Sequence, residues 1–172
     1  MIDWGAILAE HGSMVWRTVY RLLNHRDDAL DCYQETFLAA FRFAHAQTIA
    51  DWPAFLVSLA TRRAMDRLRQ RYRSGRRSIP LDTVPEPSSE LDGPLQQARA
   101  NELMERVREG MAELSEKQAE AFWLGCLEGL SHQQIADLMQ VPPGEVRVLL
   151  HRARTRLGAI LNLDQLHERE TQ

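Results

Sequence analysis

Two adjacent prolines, Pro142 and Pro143, followed by Gly144, separate two stretches of helical periodicity, and no single helix runs through them. Proline lacks the amide hydrogen a helix interior needs, and its ring clashes with the preceding turn. Upstream, Ser131 with Gln134 three residues on gives a capping-box start. Ile135, Ala136 and Met139 follow at helical spacing. Downstream, Pro143 suits the first position of a new helix, where a missing N–H costs nothing. That helix carries Val146, Leu150, Ala153 and Leu157 on one face, with Arg147, His151, Arg152, Arg154 and Thr155 mostly elsewhere on its surface. A short helix, a tight turn and a second helix with an arginine-bearing outer face make a helix-turn-helix, whose second helix fits the DNA major groove. A helical hairpin in any bundle has the same local pattern.

At 172 residues the chain has room for one ordinary domain or two small ones. Its formal charge of −3 conceals segregation: residues 1–79 hold twelve arginines against eight acids, and residues 80–97 hold four acids and no base. A basic block beside an acidic connector points to nucleic acid more strongly than the overall balance points away from it. Lys117 is the sole lysine, so the bases are nearly all arginine, which suits bidentate phosphate and base contacts; a GC-rich genome gives the same preference. Cys32 and Cys126 lie far apart, without metal-ligand spacing or a signal sequence ahead of them. That argues against a disulfide framework and makes the cytoplasm the expected compartment. Both cysteines fall in amphipathic patterns and read as small buried hydrophobes. No run approaches the ~18 apolar residues of a membrane span. The histidines show neither ligand spacing nor a nucleophile–base pairing, so no catalytic residue, metal or cofactor is expected.

Along the chain, residues 5–24 give an amphipathic helix with Leu8, Val15, Val19, Leu22 and Leu23 on one face. Asn24, His25 and Arg26 break the pattern, and Asp27 is a credible N-cap for the next helix. In that helix Leu30, Tyr33, Phe37, Phe41 and Ala44 form an apolar stripe for burial, while Asp31, Gln34, Glu35, Leu38 and Arg42 share a second face. Acids near its start suit the helix dipole, and Leu38 among polar groups suggests a docking surface. Residues 47–53 read as a loop containing Trp52, and 54–72 as a long helix with Leu56, Leu59, Ala60, Ala64 and Leu68 inward. Its distal half carries Arg62, Arg63, Arg67, Arg69, Arg71 and Arg73, with Arg76 and Arg77 beyond and Asp66 the one acid among them. One aspartate cannot neutralise arginines on several sides of a helix, so a polyanion is the expected counterion. A solvated face has the same composition.

Residues 74–97 contain four of the seven prolines, several serines and four acids, a composition unable to bury enough apolar surface to order itself. The expected organisation is therefore all-α: two small helical domains, 1–75 and 98–162, joined by a flexible acidic linker (76–97), the C-terminal domain a helix-turn-helix. Residues 98–114 align Leu103, Val107, Met111 and Leu114. Ser115 with Gln118 then opens a capped helix that carries Ala119, Phe122, Trp123 and Cys126 and ends near Gly129. The tail beyond Leu157 is expected to fray.

Together these stretches resemble the extracytoplasmic-function group of bacterial RNA polymerase sigma factors, and the likeness covers both modules. DALDCYQETFLAAFR is similar to that group's D-A-x-D-x-x-Q-E-x-F helix, and FLVSLATRRAMDRLR to its W-L-x-x-I-A-x-N-x-x-x-D-x-x-R helix. The run from Leu114 to Leu157 follows its E-G-L-S-x-x-E-I-A and R-A-R-x-x-L pattern. The resemblance implies that Asp31, Gln34, Glu35 and Leu38 dock on the clamp helices of the polymerase's largest subunit. It implies that the loop around Trp52 and the helix after it, with Phe55, Arg62, Arg63, Arg67 and Arg69, capture a base flipped from the non-template strand of the −10 element. Arg147, Val148, His151 and Arg152 would sit in the −35 major groove. The linker would thread toward the RNA exit path, its acidity keeping it off DNA. The implied partners are core RNA polymerase and promoter DNA, with an anti-sigma factor as a further candidate and no membrane insertion. The implied function is recruitment and strand opening, with no bond chemistry in this chain.

The chain departs from the pattern at Arg62, where the group has asparagine, and at Gln140, where a turn glycine is usual. Glu145 suits the helix dipole yet faces phosphates poorly, although glutamate accepts from cytosine. Val148 and Leu149 lose hydrogen-bonding groups, so either the −35 preference has shifted or that module binds DNA more weakly. The chain also begins late relative to the group, without its leading helix. Two other classes stay open: a helix-turn-helix regulator acting without polymerase, and a helical adaptor binding only protein.

Overall fold

The computed structural model describes residues 2–74 and 94–170, with side chains from 96 to 161 in the second stretch. The described elements are all helical: α1 (Trp4–Leu23), α2 (Arg26–Ala46), α3 (Trp52–Arg73), α4 (Pro94–Ala112), α5 (Glu116–Phe122), α6 (His132–Met139) and α7 (Pro143–Glu170). A π-helical turn, Trp123–Leu127, continues α5. The expected linker lies mostly outside the described residues, except that α4 already begins at Pro94, inside it. Proline at a helix start forfeits no hydrogen bond.

Local chemistry sets the helix ends. Asp3 caps α1 by accepting from the Ala6 amide at 3.0 Å. The helix stops at Asn24, left-handed at φ 46°, a conformation asparagine tolerates better than most residues. The carbonyls that this end leaves without helical donors are taken by two distant arginines. Arg71 donates to the Leu23 carbonyl at 2.7 Å, and Arg108 to the Arg21 carbonyl at 2.6 Å. His25, rather than Asp27, caps α2: its Nδ1 accepts from the Asp28 amide at 3.3 Å. Asp51 caps α3, so Trp52 and Pro53 belong to the helix and the expected loop is shorter.

The buried stripe of α2 is rotated from the expected one. Ala29, Cys32, Thr36, Phe37 and Ala40 are buried, whereas Leu30 and Phe41 are 46% and 44% exposed. Small Ala29 and Ala40 let α1 and α3 approach closely, and the Thr36 hydroxyl is satisfied by the Cys32 carbonyl at 2.7 Å. Aromatic bulk is therefore displaced to the rim. Cys126, expected inside, is exposed and accepts from Arg154 at 3.4 Å.

The two modules pack face to face through α3. One core cluster runs from Val19, Leu22, Leu56 and Leu68 into Met111, Leu114, Trp123 and Leu157 of the second module. A second gathers Leu124, Ile135, Val146, Leu149 and Leu150, and Val57 of α3 joins it. Trp123 is fully buried, which by area contributes about 4–6 kcal/mol as an upper figure. Its indole N–H donates to Glu128 at 2.8 Å, and the Thr18 hydroxyl of α1 donates to the same carboxylate oxygen at 3.1 Å. The π turn aims Glu128 at both.

Candidate nucleic-acid interface

The helix-turn-helix forms as expected. Ser131 and Gln134 make the full capping box of α6. The turn residue Gln140 is left-handed at φ 55°, a strain of roughly 1 kcal/mol for a residue with a Cβ. The stripe Val146, Leu150, Ala153 and Leu157 is buried, and Arg147, Val148, His151 and Arg152 are exposed on the opposite side of α7. Leu149 is 7% exposed and belongs to the core, so its loss of a polar group has no bearing on base contacts. Glu145 pairs with Lys117 of α5 at 3.1 Å, which offsets its charge where phosphates would approach.

Between the start of α3 and the end of α6, where Leu138, Met139 and Gln140 form one wall, a slot of about 450 Å³ opens, within the volume range of ligand sites. Phe43, Ile49, Phe55 and Leu59 supply its apolar lining and Arg62 its basic end. The Phe43 and Phe55 rings lie 4.9 Å apart. Trp52 is outside the lining: it meets Phe55 edge-on at 6.3 Å and Trp4 at 5.5 Å, as a prop behind the slot. Phe43 went unnoticed in the sequence, where an aromatic just before a loop was the available signal.

The arginines of α3 do not share one surface. Arg62 contacts Glu120 of α5, and Arg67 lies between Asp31 and Glu35 of α2 at 3.5 and 3.7 Å. Arg71 pairs with Asp28 at 2.6 Å. Arg69, expected at the DNA, is 7% exposed and sits 3.6 Å from Asp66, which takes it off any surface a backbone could touch. Arg63 is exposed. Counterions from other helices therefore do much of what a polyanion was expected to do. Beneath Arg67, burial pushes the Cys32 thiol up to about 11, with the Arg67 hydrogen bond pulling the other way. On the outer face of α2, Asp31, Gln34, Glu35 and Leu38 are all exposed, and Leu30 and Phe41 extend that face with apolar surface.

Comparison with known proteins agrees with this geometry. The family model for Sigma-70 region 2 matches residues 7–74, and that for Sigma-70, region 4 matches 104–157. The chain is 30% identical over 159 residues to the ECF RNA polymerase sigma factor SigE of Mycolicibacterium smegmatis, covering 91% of this chain and 61% of that one. It is 27% identical over 153 residues to the RNA polymerase sigma-H factor of Pseudomonas aeruginosa, covering 83% and 78%. The chain thus spans less than two thirds of the length of SigE. The fold matches RpoE of Bartonella quintana, solved with the anti-sigma factor NepR, at a TM-score of 0.57 and 21% identity over 94% of this chain and 98% of that one. It also matches CnrH, solved with the cytosolic domain of CnrY, at 0.60 and 20% over 93% and 88%. Region 2 followed by region 4 on one chain, together with the likeness to curated ECF sigma factors, places this protein in the sigma-70 family of RNA polymerase sigma factors, in its extracytoplasmic-function group.

Proposed function

We propose that this chain binds core RNA polymerase and directs it to promoters, reading the −35 element with α7 and holding an unpaired base of the −10 element in the slot at the start of α3. The work is cytoplasmic, and the chain supplies recognition and strand opening while the polymerase supplies the bond chemistry. No described helix is long and apolar enough to cross a membrane. The observation that carries the reading is the pairing, in one small module, of an exposed Gln34–Leu38 face with the Phe43 and Phe55 rings that line the slot. A helix-turn-helix regulator acting alone needs neither. Unpaired bases favour such a slot because their exposed π-faces stack on aromatic rings, a contact worth about 1–3 kcal/mol per base. Arg63 lies on the exposed side of α3 and is the arginine best placed to hold the strand's backbone. Arg147, Val148, His151 and Arg152 face outward for the major groove, the two arginines suited to guanine edges or phosphates and Val148 to a thymine methyl. An anti-sigma protein is a further candidate partner, since RpoE was solved with one.

Retention of the chain on immobilised core polymerase tests this. The chain should be retained, Leu38→Asp should lose about 1–2 kcal/mol or more of that binding, and Arg152→Ala should leave it unchanged. Failure of the unaltered chain to bind core polymerase would remove the proposal in favour of an independent regulator.

A further inference from the structure

Glu145 is the acid in the first turn of α7, and the surroundings of that turn are poorly equipped to hold a phosphate. Pro142 and Pro143 have no amide hydrogen to offer, and the Glu145 amide is taken by the Pro142 carbonyl at 2.9 Å. A carboxylate at the same place repels a phosphate. Lys117 stands across from it in the first turn of α5, where a cation opposes the helix dipole. Its Nζ donates to Glu145 Oε1 at 3.1 Å. An exposed pair of this kind contributes little to stability, so stability does not account for a lysine placed there. The contact leaves two groups unused. Glu145 Oε2 has no partner among the described residues, and Lys117, its side chain 59% exposed, keeps further N–H donors. Val148 and Arg152, three and seven positions beyond Glu145, lie on the same side of α7 and are exposed. Side chains at the N-terminal end of a recognition helix are the ones that meet base edges.

We propose that Glu145 is a specificity-determining residue for the upstream promoter element, accepting from the N4 amino group of a cytosine, and that Lys117 positions it by bridging its carboxylate to a neighbouring backbone phosphate. The choice of base follows from the major-groove edges. Guanine and thymine present only acceptors, which repel a carboxylate, and adenine sets its N7 acceptor beside its N6 donor. Cytosine alone presents a donor without an adjacent acceptor. The lysine cancels the repulsion that a carboxylate otherwise meets between two phosphate rows, and it restores the backbone anchor that the two prolines remove. Val148 and Arg152 then read the base pairs next to the one that Glu145 reads. The proposal deepens the reading of α7 as the −35 helix and rests on it.

The test uses core polymerase loaded with the full chain and a promoter library randomised through the upstream element. The unaltered chain should retain promoters with a C·G pair fixed at one upstream position. Glu145→Ala should make that position alone degenerate, a loss of about tenfold in discrimination there. Glu145→Gln should move the same position toward adenine, whose N6 and N7 suit an amide. Lys117→Met keeps most of the stem and removes the charge. It should lower the slope of log affinity against log salt by about one on a fixed promoter and blunt the cytosine preference. A C·G position unchanged in Glu145→Ala would overturn the base contact. Equal relaxation at every upstream position would also overturn it, because that marks a residue that only holds the helix. An unchanged salt slope in Lys117→Met would overturn the phosphate bridge. Selection of no upstream sequence by the unaltered chain would defeat the reading of α7 as the −35 helix, and the contact with it.

Discussion

Helices α3 and α7 are both rich in arginine, and they use it in opposite ways. On α3, Arg62, Arg67, Arg69 and Arg71 are each engaged by a carboxylate, and Arg71 also closes the end of α1. On α7, Arg147 and Arg152 are exposed, and among the described residues no carboxylate pairs with either. The difference lies in where the acids come from. Asp28, Asp31 and Glu35 reach α3 from α2, and Glu120 reaches it from the second module, so charge counted along α3 alone overstates its appetite for phosphate. An arginine available to DNA is marked by an outward position without a nearby acid among the described residues, as at Arg147, Arg152 and Arg154 on α7 and at Arg63 on α3.

The largest expected effect of that difference is on stability. Arg71→Ala leaves the Leu23 carbonyl without its buried donor and takes from half-buried Asp28 its shortest ion pair, and should cost about 3 kcal/mol, read as a fall in thermal midpoint. Arg152→Ala should leave the midpoint unmoved and weaken binding to a −35 duplex by about 1–3 kcal/mol. Equal destabilisation by both would erase the contrast between the helices. Phe55→Ala should reduce strand opening by core polymerase by about 1–3 kcal/mol in affinity for the unpaired strand, measured by permanganate reactivity, with duplex binding intact. Trp52→Ala should act in the same direction but more weakly, because its ring props Phe55 from outside the slot. The smallest expected effect is at Arg69: its replacement by alanine should change DNA affinity less than about twofold, since buried groups make no phosphate contact. The thiols give an independent check on the two modules. At pH 8, Cys126 should react with iodoacetamide, while Cys32, buried and held near 11, should stay protected until the chain unfolds.

What the sequence made legible was local. Both capping boxes, at Ser115 and Ser131, are present in full, and the Val146–Leu157 stripe is the buried one. Gln140 takes the left-handed turn that a missing glycine made doubtful. What escaped depends on partners far away in the chain. The α2 stripe turned because α1 and α3 pack on alanines, a choice periodicity alone leaves open when both faces carry apolar residues. Arg62 and Glu120 are 58 positions apart, and nothing near either announces the other. Trp52 drew attention as the largest aromatic of its stretch, yet Phe43, supplied from α2, is the ring that shares the slot with Phe55. The capping of α2 by His25 was missed because histidine is an uncommon choice there, and Asp27 offered a more ordinary one.

The most direct test of sigma activity is transcription in vitro from a randomised promoter library, with core polymerase alone and with the purified chain added. The expected result is transcripts that require the chain and share two spaced sequence elements, the downstream one lost with Phe55→Ala and the upstream one relaxed with Arg152→Ala. The same transcripts with and without the chain would contradict it.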